Sequence, residues 1–309
     1  MQKTPDTAWH AIAGPPSELG ESPFWHPDER RLYWVDIPAR CLCRADPQTG
    51  AHESWPMPTE PGCIAPALSG GLVIALRDGV YRARVWGGSL TLLVRFTHDP
   101  TTTRANDGKC DPLGRFWVGT MYEPRDQPRA ELLSIDCRSG VPVVERMASG
   151  AIIANGLAWS PDARTVYWAD TPQHIVRAWD WEPVTNAMTG CRVFRQFPPK
   201  PAGWQPGQPG YGGRPDGAAV DSAGDYHVAL FEGARLCRFS PTGELLAETV
   251  LPVQCPTMPC FGGDDLKTLY VTSARHHRSA QELADQPDSG RVIAARVDVP
   301  GLPVNFFLD

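Results

Sequence analysis

Residues 155–170 read NGLAWSPDARTVYWAD, and residues 21–36 read ESPFWHPDERRLYWVD. One constant offset superposes Pro27 on Pro161, Asp28 on Asp162, Tyr33 on Tyr167, Trp34 on Trp168 and Asp36 on Asp170. Weaker copies follow the same plan. NDGKCDPLGRFWVGT starts at 106, DGAAVDSAGDYHVAL at 216 and MPCFGGDDLKTLYVTSA at 258, and a degenerate GCIAPALSGGLVIAL starts at 62. Each copy runs from a short apolar strand into a turn of Pro, Asp and Gly. A second strand of aromatic and β-branched residues follows, then another turn and a third strand. Helical periodicity is almost absent; the best helical candidate is the short SAQELADQ at 279–286, which reads as a surface turn.

A unit of about 40–50 residues with four strands and no helix is the signature of a β-propeller blade. One blade cannot bury both faces of its sheet, whereas six around an axis can. The sequence therefore predicts an all-β fold, a six-bladed β-propeller of four-stranded antiparallel blades, formed as a single domain over 1–309. Ala8–Ala13 precedes the first copy and is expected to pair with Arg291–Val297, so that the ring closes without an open edge. Trp34, Trp117 and Trp168 hold equivalent positions and are expected to pack in the core. FPPKPAGWQPGQPGYGGRPD, 197–216, lies in the longest gap between copies. It reads as a long loop at a blade entrance, placed where a lid would sit.

Composition narrows the function. The 309 residues are 42% hydrophobic and 21% charged, with a formal net charge of −6. That is a globular composition, neither disordered nor fibrous. The acidity and the lack of a Lys/Arg run speak against a nucleic-acid partner. No apolar run reaches the roughly 18 residues of a membrane span. The first residues, MQKTPDTAWHAIAGPP, show no apolar leader core. The nine cysteines are odd in number, form no C-x-x-C, and read as reduced and buried. The expected location is the cytoplasm, with no membrane or nucleic-acid partner, and a monomer is the default.

The residue opening each copy carries the chemistry. It is Glu21, Gly62, Asn106, Asn155, Asp216 and Met258, in one register just before the first strand of each blade. Such positions converge at one end of the propeller axis. Four of them bear side-chain oxygens, and oxygens without His or Cys suit a hard divalent cation such as Ca2+, Mg2+ or Mn2+. Glu21 and Asp216 would neutralise it and Asn155 would add an amide oxygen. Without a cation the two carboxylates would repel and raise a pKa. Taken singly, Asn155-Gly156 and Asp216-Gly217 are ordinary turn dipeptides. No G-x-S-x-G elbow is present to support a serine nucleophile.

The chain resembles the SMP-30/gluconolactonase/regucalcin family over essentially its whole length. The resemblance rests on LGESPFWHPDERRLYWVDI, RANDGKCDPLGRFWVGTM, ANGLAWSPDARTVYWADT, RPDGAAVDSAGDYHVAL and PCFGGDDLKTLYVTSA. It implies a six-bladed propeller with one divalent metal on the axis, the metal being Ca2+, Mn2+, Mg2+, Zn2+ or Fe2+. By resemblance the ligands are Glu21, Asn155 and Asp216, and the substrate contacts are Arg104 and Asn106. Asp107 lies beside the metal. The family's glutamate after Gly119-Thr120-Met121 falls at Glu123 or, by strict counting, at Pro124.

The implied activity is metal-dependent hydrolysis of a sugar lactone, a gluconolactone or pentonolactone, to the aldonic acid. Asp216 is the favoured base for the attacking water and Asp107 its rival. The competing expectations are a metal-binding or ligand-sensing propeller without turnover, and a promiscuous esterase or organophosphate hydrolase.

Overall fold

The computed structural model describes residues 8–12, 14–206 and 208–309. Six four-stranded antiparallel sheets are formed. Their innermost strands are Gly20–His26, Pro61–Pro66, Thr103–Cys110, Ala154–Trp159, Arg214–Val220 and Pro256–Gly262. The fold is thus the six-bladed propeller that the repeat predicts. Each copy supplies the two inner strands of one blade, and the intervening sequence supplies the outer two. The one helix among the described residues, Ala280–Asp285, is capped by Ser279, whose side chain accepts from the Glu282 amide. No helix among the described residues is long and apolar enough to cross a membrane.

Burial follows position in the blade. Strands such as Gly20–His26 and Pro256–Gly262 are buried throughout, because neighbouring blades cover them. The outermost strand Leu245–Val250 alternates half-buried and exposed residues, as expected of a sheet with one wet face. Trp34, Trp117 and Trp168 are all buried. Trp117 packs edge-on against Trp159 and Trp181 at ring-centroid distances of 5.3 and 5.9 Å. All nine cysteines are free, and only Cys191 is exposed.

Ring closure is as the sequence expects. His10–Ala11 forms the outermost strand of the sixth blade, pairing His10 with Ala294 and Ala11 with Ile293. Ala13, at the end of the expected strand, lies outside the described residues. The described residues of 197–213 contain no strand, and the segment leaves the strand Ala187–Gln196 and enters Arg214–Val220 at the end of the propeller where the innermost strands start.

In two copies an aspartate at the sixth position, Asp111 or Asp221, fastens the hairpin between the two inner strands. Asp111 is fully buried. It accepts from the amides of Leu113 and Arg115 at 2.8 and 3.0 Å, from the Arg115 guanidinium at 3.0 Å and from the Trp117 indole at 3.0 Å. Asp221 repeats this with the amides of Ala223 and Asp225 and with His227 Nε2. Removing Asp111 takes the charged partner at 3.0 Å from the buried Arg115, which keeps the Pro183 carbonyl and Asp136, and leaves the Trp117 indole N–H without its acceptor. Asp111→Ala is expected to cost about 3–5 kcal/mol, read as a fall in the urea midpoint with little change in slope. A loss under about 1 kcal/mol would show that the turn holds without it.

The C-terminal segment closes one end of the channel. Gly301 bridges to Asp221 and Phe307 to Ala67. Asn305 Nδ2 donates to the Cys110 carbonyl at 3.0 Å, and Asp309 pairs with the buried Arg82 at 2.8 Å. Ala67, Cys110 and Asp221 all stand at the far ends of innermost strands. A channel cavity of about 280 Å³, lined by residues including Phe24, Ile64 and Lys109, lies between this plug and the opposite mouth.

Candidate active site and metal centre

Every innermost strand breaks register with its neighbour near the unplugged mouth. The irregularities fall between Glu21 and Phe24, Pro61 and Cys63, Ala105 and Gly108, Asn155 and Ala158, Pro215 and Ala218, and Pro256 and Pro259. A bulge kinks the strand and re-aims its side chains. Two expectations are corrected here. The residues opening each copy lie within the innermost strands, not before them. They also do not share one register: Glu21 and Asn155 precede their bulges, whereas Asn106 and Asp216 lie inside theirs. The hairpin ladder, not the spacing of the motif, sets where the extra residues fall.

Backbone anchors hold the incoming loops. Asp36 accepts from the amides of Glu18 and Leu19 at 2.9 and 3.2 Å, just before Glu21. Asp170 does the same for Ile152 and Ile153, just before Asn155. These are the terminal aspartates of RRLYWVD and RTVYWAD, so the repeat carries its own positioning device.

The side chains so delivered are all buried: Glu21 at 7% exposure, Asp216 at 6%, Asp107 at 4% and Asn155 at 3%. Burial raises Glu21 well above the ordinary carboxylate range, and the charges of Asp216 and Asp107 raise it further. Burial likewise raises Asp216, with Asp107 adding to the shift and Arg214 and Arg104 opposing it. Asp107 is raised by burial against the pull of Lys109 and of the amides of Leu157, Gly108 and Gly156. Three carboxylates therefore share one low-dielectric pocket.

Asn155 is fixed by its neighbours. Its Nδ2 donates to Thr171 Oγ1 at 2.8 Å, and that hydroxyl donates to the Pro215 carbonyl at 2.7 Å. Its Oδ1 accepts from Asn106 Nδ2 at 3.0 Å and keeps a second lone pair. Asp107 Oδ2 accepts from the Leu157 amide at 2.9 Å, while its Oδ1 is buried with no hydrogen-bond partner.

This donor set fits a hard cation. Two mutually repelling carboxylates, an oriented amide oxygen and an orphaned carboxylate oxygen together lack positive charge at one place. Among the described residues no group of three His, Cys, Asp or Glu side chains that could hold a metal is formed, so a cation here would need the amide oxygen of Asn155 as well.

Arginine and glutamate line the mouth. Arg104 is buried, which pulls it down to about 10. Its Nη1 donates to Asn106 Oδ1 at 2.8 Å and to the Ala105 carbonyl. Glu123 lies 3.7 Å from Arg104 and is held more closely by Arg77, at 2.8 Å. Arg77 keeps the Glu123 carboxyl below its usual range and also binds Glu60 at 2.9 Å. Glu123 thus joins the site through Arg104.

Sequence reading missed Lys109, Thr171 and Arg77. Lys109 donates to the Ala218 carbonyl at 2.8 Å, and burial lowers its pKa while Asp107 and Glu21 sustain its charge. The only trace of it in the sequence is a lysine two residues after Asp107 in the strand TRANDGKC. His276 and His277 lie in a turn after the strand Thr268–Ser273.

A six-bladed propeller with an acidic, amide-completed pocket at one mouth is a recognisable class of protein. The chain belongs to the family described as the SMP-30/gluconolactonase/LRE-like region, which it matches over residues 19–275. It is 44% identical over 290 residues to a 6-deoxy-6-sulfogluconolactonase of Pseudomonas putida, covering 93% of this chain and 94% of that one. It is 36% identical over 258 residues to a pentonolactonase of Haloferax volcanii, covering 83% and 81%. Among solved structures it superposes on a calcium-binding protein, regucalcin, from Agrobacterium tumefaciens with a TM-score of 0.88 at 25% identity, covering 97% of both chains.

Proposed function

We propose that the protein is a hydrolase that opens a sugar lactone to its aldonic acid with the help of one divalent cation. The names of its relatives put a sulfonated gluconolactone and a pentonolactone among the candidate substrates. The observation that carries the reading is the buried set of Glu21, Asn155, Asp216 and Asp107, with Arg104 and Asn106 beside it.

Glu21, Asn155 and Asp216 would hold the cation. When bound, it supplies Lewis-acid polarisation of the lactone carbonyl. Arg104 orients the sugar hydroxyls with its remaining N–H donors, while Asn106, whose two N–H bonds go to the Ala154 carbonyl and to Asn155 Oδ1, holds Arg104 and Asn155 in place. Asp107 Oδ1 takes a proton from the attacking water as the new carbon–oxygen bond forms. The ring carbon–oxygen bond then breaks, and the same proton passes to the leaving ring oxygen. The sequence favours Asp216 as the base. The geometry supports Asp107 instead, since a carboxylate committed to a cation is a weaker proton acceptor, whereas Asp107 Oδ1 is buried and unpartnered. The plug at residues 301–309 leaves the opposite mouth as the substrate entrance.

The test is acid release from gluconolactone and pentonolactones by purified protein, before and after chelation. Turnover that falls at least about 100-fold with chelator and returns with Ca2+, Mn2+, Mg2+, Zn2+ or Fe2+ is expected. Binding of a cation with no acid release from any lactone would favour a sensor without turnover.

A further inference from the structure

The chain carries a net charge of −6, yet its substrate mouth is rich in arginine. Arg104, bonded to Asn106, and Arg214, two residues before Asp216 on one strand, both stand at the mouth of the acidic pocket. Arg214 is the first residue of the strand that carries Asp216. Its guanidinium sits over the Phe231 ring at 5.1 Å, which fixes its plane, and one of its nitrogens lies 3.3 Å from Glu232. Arg125 lies at the same mouth, in the turn after Phe116–Tyr122, on a blade separated from that of Arg214 by one other, with a φ of 59°. It is exposed, and its charged neighbours are Arg214 and Glu123.

The carboxylates on these walls are already shared. Glu123 is held by Arg77 and approached by Arg104. The buried Glu232 serves Lys200 at 2.9 Å, Arg214 at 3.3 Å and Arg278 at 3.7 Å. Arg125 forms no ion pair among the described residues. Two neighbouring guanidiniums, one unpaired and one sharing its carboxylate with two other cations, make a place short of negative charge. A neutral sugar would leave that repulsion standing.

We propose that Arg125 and Arg214 form a subsite for a strongly acidic tetrahedral group, a sulfonate or a phosphate, carried on the sugar away from the lactone carbonyl. The preferred substrate is then an anionic aldonolactone. This rests on the lactonase reading and narrows it. Forked guanidinium donors match the oxygens of such groups in a way that a lysine or an amide does not. The subsite lies beside the reacting carbonyl and takes no part in the bond changes.

The experiment compares kcat/KM for gluconolactone, its 6-phosphate and its 6-deoxy-6-sulfo analogue. At low salt, at least one anionic lactone should exceed the neutral one by about tenfold or more. The phosphate and sulfonate arms separate the two sources of the same chemistry. In Arg125→Met that preference should fall about tenfold, mainly through KM, and Arg125→Lys should restore part of it. Rising ionic strength should narrow it as well. Equal efficiency on all three lactones, or an unchanged preference in both Arg125→Met and Arg214→Met, would overturn the subsite. Absence of acid from every lactone would defeat the lactonase reading instead. Calorimetry with gluconate and 6-phosphogluconate would then still judge the subsite, equal affinity overturning it.

Discussion

Asp216→Asn should lose lactone hydrolysis by about 1,000-fold or more and yet, after chelation, unfold at a higher temperature than the parent protein. The two effects share one cause. Asp216 is buried beside Asp107 and Glu21, and the three carboxylates repel in a pocket that water does not screen. The amide removes one of the charges, relieving strain worth about 1–2 kcal/mol. It also removes a charge that the cation needs, so added cation should stabilise the parent and leave the variant nearly unchanged. The sign of the pH dependence follows. A carboxyl whose folded pKa is raised keeps its proton longer in the folded chain than in the unfolded one. The chelated parent therefore has this contribution in full below the ordinary aspartate value of about 3.9, and loses it as pH rises from there through the raised folded value. The stability gap in favour of Asp216→Asn should open over that range. A variant less stable than the chelated parent at neutral pH would mean that Asp216 holds the fold together.

The propeller was legible because its physics is repetitive. A blade needs the same hairpin each time, so Pro, Asp and the aromatic pair return at fixed offsets even where the rest of the copy has drifted. The positions converging on the axis were legible for the same reason. The two copies without oxygens are explained by packing. A Cβ at Gly62 would come within 2.5 Å of the Ala105 backbone in the adjoining strand. Met258 is buried against Gly217, where a Cβ would come within 2.4 Å of it. Those positions serve the close approach of neighbouring innermost strands.

What the repeat does not encode stayed hidden. The bulges shift Asn106 and Asp216 by a residue relative to Glu21 and Asn155, and a bulge is set by strand pairing that no motif displays. The plug at 301–309 follows the last copy and has no counterpart to compare it with. The chain of Glu60, Arg77, Glu123 and Arg104 joins four segments distant in sequence; the resemblance names Arg104 and Glu123, but no motif links them to each other or to Glu60 and Arg77. Its consequence is chemical. With Arg77 taking most of the Glu123 charge, Arg104 keeps donors for Asn106 and, by the reading above, for a sugar hydroxyl.

Asp107→Asn separates holding the cation from moving the proton. The substituted side chain keeps its place, because an amide oxygen can accept from the Leu157 N–H as Oδ2 does now, at 2.9 Å. The atom that changes is Oδ1, which becomes an NH2 group and can no longer take a proton. Loss of a positioned general base typically costs about 100- to 10,000-fold in kcat. Asp107→Asn is expected within that range, with cation affinity, measured by calorimetry, within a few-fold of the parent. The pattern differs from that of Asp216→Asn, in which affinity and turnover fall together. Turnover near the parent rate in Asp107→Asn would transfer the proton to the second oxygen of Asp216. A joint loss of affinity and turnover would instead make Asp107 a fourth ligand, its unpartnered oxygen aimed at the cation itself.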